Sequence, residues 1–97
     1  MNALDQLRLE KKDAILRLAA ARGCRNVRVF GSFATGESRE SSDVDFLVDL
    51  DEGRNLFDLG GLLADLKDEL HRDVDVVEPR CIHPYIRERV LGEAVAL

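Results

Sequence analysis

Asp43-Val44-Asp45 sets two carboxylates two positions apart in a run, Asp43 to Asp49, made of strand-forming residues. Strand side chains alternate faces with a period of two, so Asp43 and Asp45 point to the same side. Like charges a few ångströms apart repel and push each other's pKa upward unless a cation or a proton neutralises them. The pair therefore predicts a positive partner. Hard oxygen donors of this kind suit Mg²⁺, which binds through one or two carboxylates together with substrate phosphates. Asp75, in Val74-Asp75-Val76-Val77, offers a third carboxylate from another strand. If the two strands are adjacent, the three can converge on two metal ions, an arrangement suited to in-line phosphoryl or nucleotidyl displacement. Gly31-Ser32 follows the strand-like run Asn26–Phe30 and offers backbone N–H groups and a hydroxyl to phosphate oxygens. Each feature has a plainer reading. Alternation of Asp with Val and Phe also describes a strand with one solvated face, and a Gly-Ser pair is commonly just a turn.

These residues need a scaffold, and the rest of the chain supplies its signals. From Leu4 to Arg22, apolar residues at Leu4, Leu7, Ile15, Leu18 and Ala19 recur at roughly helical spacing among charges. Asn2 can cap this helix, Arg17 and Arg22 suit its negative end, and Gly23 can stop it. Asn26 to Phe30 reads as a strand feeding a turn. Gly31 to Ser42 reads as a turn, with room for a helical turn, and a surface loop. After the Asp43–Asp49 strand, Asp51 to Asn55 forms a turn. Leu56, Leu59, Leu63, Leu66 and Leu70 then make the apolar stripe of a second long helix, a core element. Gly60-Gly61 inside it costs about 1 kcal/mol per glycine relative to alanine and predicts close packing or a bend. Asp73 to Val77 is a third strand ended by Pro79. Pro84 opens a last helix with Ile86 and Val90 on one face, closed by Gly92. Ala94 to Leu97 receives no assignment. The order helix, strand, turn, strand, helix, strand, helix predicts a small α/β (α+β) domain with a sheet flanked by helices.

Composition narrows the function. A chain of 97 residues accommodates one domain, spanning residues 1–97, and 45% hydrophobic residues suffice for a folded core. No apolar stretch approaches the ~20 residues of a membrane helix, and no leader pattern is visible, so a soluble cytoplasmic protein is expected. Cys24 and Cys81 show no Cys-x-x-Cys spacing and read as reduced thiols. The net charge is −5, Trp is absent and Tyr occurs once, which argues against a direct grip on nucleic acid. It leaves a metal–triphosphate ligand open, because clustered carboxylates are what hard cations need.

Taken together, Gly31-Ser32, then ten residues, then Asp43-Val44-Asp45 and the apolar Phe46-Leu47-Val48 resemble the signature of the DNA polymerase beta-like nucleotidyltransferase superfamily. Gly31 to Glu37 and Ser42 to Val48 more closely resemble the minimal nucleotidyltransferases, the MntA-type antitoxins. The resemblance spans nearly the whole chain, since Val74-Asp75-Val76-Val77 falls where that family carries its third acidic strand. It implies a polymerase beta palm-like mixed sheet. It also implies that Asp43, Asp45 and Asp75 are catalytic and hold two Mg²⁺ ions, with Asp75 helping to activate the acceptor hydroxyl. Gly31 and Ser32 would hold the β- and γ-phosphates of ATP. Thr35 stands where many members carry an arginine, and Arg39 in the same loop is the candidate substitute for that phosphate contact, a solvated arginine being its plainer reading. The implied reaction is transfer of AMP from ATP to a tyrosine of a HEPN-domain ribonuclease toxin, with which the chain would form a hetero-oligomer and act as antitoxin.

Two alternatives accompany this reading. One is a non-catalytic antitoxin that only occludes its toxin, although a pure binder has no need of all three carboxylates. The other is a nucleotidyltransferase subunit acting on RNA or a small molecule, against which the acidic charge and the lack of a second domain speak. His71 and His83 lack ligand spacing and read as residues near helix ends. Asp49, Asp51 and Glu52 read as a solvated turn. Tyr85, Arg87 and Arg89 read as surface or packing residues that could also contact a partner.

Overall fold

The computed structural model describes residues 2–38 and 42–97. Helix α1 spans Ala3–Ala21, and the Asn2 side chain accepts the Asp5 N–H at 2.8 Å, as a cap should. Leu4, Leu7, Ile15 and Ala19 are buried on its inner face. The chain leaves through Gly23, whose φ of +69° favours glycine. Strand β1 runs Cys24–Phe30, two residues longer at its start than the sequence pattern suggested. A bulge between Arg25 and Arg28, with Asn26 at φ +52°, breaks the alternation there. A single helical turn, α2 (Ser32–Thr35), follows.

Strand β2 spans Val44–Leu50, so Asp43 stands just ahead of the strand instead of opening it. Helix α3 covers Leu56–Leu70 behind a capping box: Asn55 accepts the Phe57 N–H at 2.9 Å while Asp58 accepts the Asn55 N–H at 3.0 Å. The structure accounts for one of its two glycines. A Cβ on Gly61 would overlap the Arg22 guanidinium, which reaches across from α1 to pair with Asp65 at 2.9 Å. Gly60 faces open space, and nothing in the structure requires a glycine there. Strand β3 is Val74–Val77, a 3-10 turn occupies Pro79–Cys81, and α4 runs Pro84–Glu93. Gly92 therefore lies within α4 rather than closing it. Val95–Ala96 forms β4, a two-residue strand too short to produce any periodicity.

The four strands make one mixed sheet in the order β3-β2-β1-β4. β1 pairs antiparallel with β2 and β4, while β2 and β3 are parallel and joined by the α3 crossover. Val44, Phe46 and Val48 of β2 face the main core with α1 and α3. Leu47, on the other face, packs with Ile82 and Val90 beneath α4. The same alternation assigns Asp45 to the α4 side, at the end of the sheet where β2 and β3 begin.

Candidate functional site

Parallel pairing of β2 and β3 makes Asp45 and Asp75 direct register partners, and antiparallel pairing of β1 with β2 sets Phe30 opposite Asp45. The turn after Phe30 is thereby delivered to the same place. Gly31 has φ +71° and ψ −149°, a region used almost only by glycine, and a Cβ there would overlap the Asp45 carboxylate. Glycine thus serves two needs at this position, the backbone turn and the close approach of main chain to carboxylate.

Asp45 is half-buried, and its carboxyl is held above the ordinary carboxylate range. Burial is the largest cause, followed by the negative charges of Asp75 and then Asp43. The structure therefore brings Gly31, Asp45 and Asp75 together, with Asp43 close enough to act electrostatically. Asp43 is exposed. Asp75 turns one oxygen onto the backbone, accepting the Val76 N–H at 3.0 Å. Among the described residues, no three His, Cys, Asp or Glu side chains already converge as a ligand cluster. The donor set nonetheless fits a hard divalent cation in two respects. All three candidate donors are carboxylates, and the central one is destabilised as an anion by burial and by its neighbours.

Ser32 opens α2 and is half-buried, and its carbonyl accepts the Glu37 N–H at 2.9 Å. Thr35 is exposed, its hydroxyl donating to the Ser32 carbonyl at 3.5 Å. Arg39 lies outside the described residues. Asp49 shares the Asp45 face but is occupied elsewhere: Arg28 donates to it at 2.8 Å, Asn26 at 2.9 Å and Arg25 at 3.5 Å. His71 is the αL cap of α3, and His83 caps α4, its Nδ1 accepting the Tyr85 N–H. Cys24 is buried, which pushes its thiol pKa up. No described helix is long and apolar enough to cross a membrane.

Arg72 escaped the sequence reading. Its Nη2 donates to the Ser42 carbonyl at 2.7 Å, thirty positions away in the chain. It carries no periodic or motif signal beyond standing just ahead of the acidic strand.

The sheet thus brings the Gly31-Ser32 turn to the end that carries Asp45 and Asp75, with Asp43 nearby. The chain belongs to the nucleotidyltransferase domain family, whose model matches residues 12–97. Protein adenylyltransferase MntA of Thermococcus cleftensis is 37% identical over 94 residues, covering 92% of this chain and 95% of that protein. A solved structure described as a candidate minimal nucleotidyltransferase superposes with a TM-score of 0.83 at 46% identity, covering 100% of this chain and 97% of that one. A crystal structure described as a toxin-antitoxin with AMP-PNP shares the fold at 22% identity, with a TM-score of 0.74 over 88% of this chain and 70% of that one.

Proposed function

We propose that the chain transfers AMP from ATP to a tyrosine hydroxyl of a HEPN-type ribonuclease toxin, and that it acts as the antitoxin of that pair in a hetero-oligomeric complex. The observation that carries the chemistry is the contact of the Gly31 backbone with the Asp45 carboxylate, directly opposite Asp75 in the sheet. The relative named as a protein adenylyltransferase supports a protein acceptor, and the shared fold with a toxin-antitoxin chain crystallised with AMP-PNP supports both the nucleotide and the partner class.

In this reading Asp43, Asp45 and Asp75 hold Mg²⁺, two ions being expected, and Gly31 and Ser32 receive the β- and γ-phosphates of ATP, with Arg39 as a further phosphate contact. Bound Mg²⁺ would neutralise the charge that builds on the phosphate oxygens during displacement. The acceptor oxygen forms a bond to the α-phosphorus while the bond to the bridging oxygen breaks, and pyrophosphate leaves. The acceptor's proton passes to the carboxylate end of the sheet, where Asp75 is exposed on the edge strand β3. Asp45, half-buried and held above the ordinary carboxylate range, resists ionisation until a cation is bound beside it.

The test is transfer of label from ATP labelled at its α-phosphate, with Mg²⁺, into the proteins and RNAs of the source cell's lysate. One labelled protein band is expected, absent with the Asp43→Asn/Asp45→Asn double variant, and mass spectrometry of that band should place AMP on tyrosine. Label in RNA would redirect the function to an RNA end. A stably co-purifying partner without any label would leave binding alone as the function.

A further inference from the structure

Arg72 links the three segments that carry the site. It lies between α3 and β3, three residues before Asp75, and donates from Nη2 to the carbonyl of Ser42 at 2.7 Å. Ser42 is the residue immediately before Asp43. On the far side of Asp43, the Val44 N–H donates to the carbonyl of Asp73 at 3.1 Å. Asp43 is therefore bracketed: consecutive residues of the β3 approach grip the peptide groups on either side of it. The Arg72 guanidinium also lies 5.0 Å from the centroid of the Phe33 ring. Phe33 is buried in α2, directly after Ser32. A planar guanidinium can rest its face on a ring while its edge donates to a carbonyl, which a compact ammonium cannot reproduce in full.

Strand pairing alone does not place Asp43, because it is exposed and stands ahead of β2. From this geometry we infer that Arg72 is a positioning residue, holding Asp43 in its relation to the Gly31-Ser32 turn and to Asp75. This inference rests on the nucleotidyl-transfer reading for its purpose. It does not rest on that reading for its measurement, because the orientation of Asp43 can be read through a bare divalent cation.

The experiment titrates Mn²⁺ into the wild-type chain, Arg72→Met and Arg72→Lys, with Asp43→Asn/Asp45→Asn setting the zero. Binding is read by electron paramagnetic resonance of free Mn²⁺, well below each protein's melting temperature. Losing an outer partner of a metal ligand commonly weakens affinity or activity about 10–100-fold, and Arg72→Met should weaken Mn²⁺ binding within that range. Arg72→Lys should recover part of the loss, since it keeps the charge over Phe33 but not the fork. In label transfer, kcat should fall with Arg72→Met while the KM for ATP moves less. An Arg72→Met isotherm that overlays the wild type, with only the melting temperature lowered, would show a purely structural role and overturn the inference. So would a wild-type titration no stronger than the zero. If Arg72→Met does not fold, the Arg72→Lys isotherm against wild type decides. Arg72-dependent Mn²⁺ binding in a chain that transfers no label would overturn the transfer reading and leave this inference standing.

Discussion

Asp45 is where the chemistry of single residues is most exposed to test. Its carboxyl is raised above the ordinary range by burial, Asp75 and Asp43, so ionised Asp45 opposes folding. The sign follows from proton linkage. Below the ordinary carboxylate range the group is protonated in both folded and unfolded chains and costs nothing. As pH rises from the ordinary carboxylate range through the raised folded value the penalty grows. Without divalent cations, Asp45→Asn should therefore melt at a higher temperature than wild type at pH 7, with the gap closing as the pH is lowered below the carboxylate range. Coincident melting curves at pH 7 would contradict this. The same residue shows what single positions reveal unaided. The repulsion between Asp43 and Asp45 is legible from their spacing, whereas burial, the largest cause of the shift, needs the packed sheet.

At the scale of elements, α3 sets the crossover between β2 and β3 and so the register of Asp45 with Asp75. Its start is secured by the reciprocal Asn55–Asp58 cap. The Asn55 backbone N–H, with Arg54 nearby, holds the Asp58 carboxyl below its usual range. That stabilisation is present above the ordinary carboxylate pKa and is lost as pH falls through the lowered value, so the cap weakens in acid. Asn55→Ala should cost about 1 kcal/mol. In a domain of this size that corresponds to a melting temperature lower by about 4–8 °C. A thermal melt at neutral pH checks it, and no change would mean that the cap contributes nothing beyond packing. The long elements were readable because 15 to 19 residues of apolar periodicity outweigh local noise. Departures fall at the bulged start of β1, at Gly92 within α4, and at β4, which pairs with the free edge of β1, and also at the start of α3, where Leu56 of the expected core stripe is 63% exposed.

For the whole molecule, stability rests on one main core between the sheet and α1 with α3, and a smaller cluster under α4. Leu62 is fully buried in the main core, while Leu9 is 73% exposed. Leu62→Ala should lose about 2–5 kcal/mol, a large share of the 5–15 kcal/mol expected of a domain, and Leu9→Ala should stay within about 0.5 kcal/mol. Denaturant midpoints of the two variants would separate these outcomes, and equal midpoints would refute the placement of the core. Arg8 adds a long-range tie, donating to the carbonyls of Leu97 at 3.3 Å and Ala96 at 2.5 Å and so fastening α1 to the β4 edge. From the sequence by itself came the long helices, the three main strands and the candidates Asp43, Asp45, Asp75 and Gly31-Ser32, because helix and strand periods and turn chemistry are local properties of the chain. Tertiary structure alone decided the sheet order, the register of Asp45 against Asp75, the contact of Gly31 with Asp45, the engagement of Asp49 by arginines and the reach of Arg72 to Ser42. Each of these depends on residues far apart in the chain being brought together by burial of a shared core, a global free-energy outcome that no local window contains.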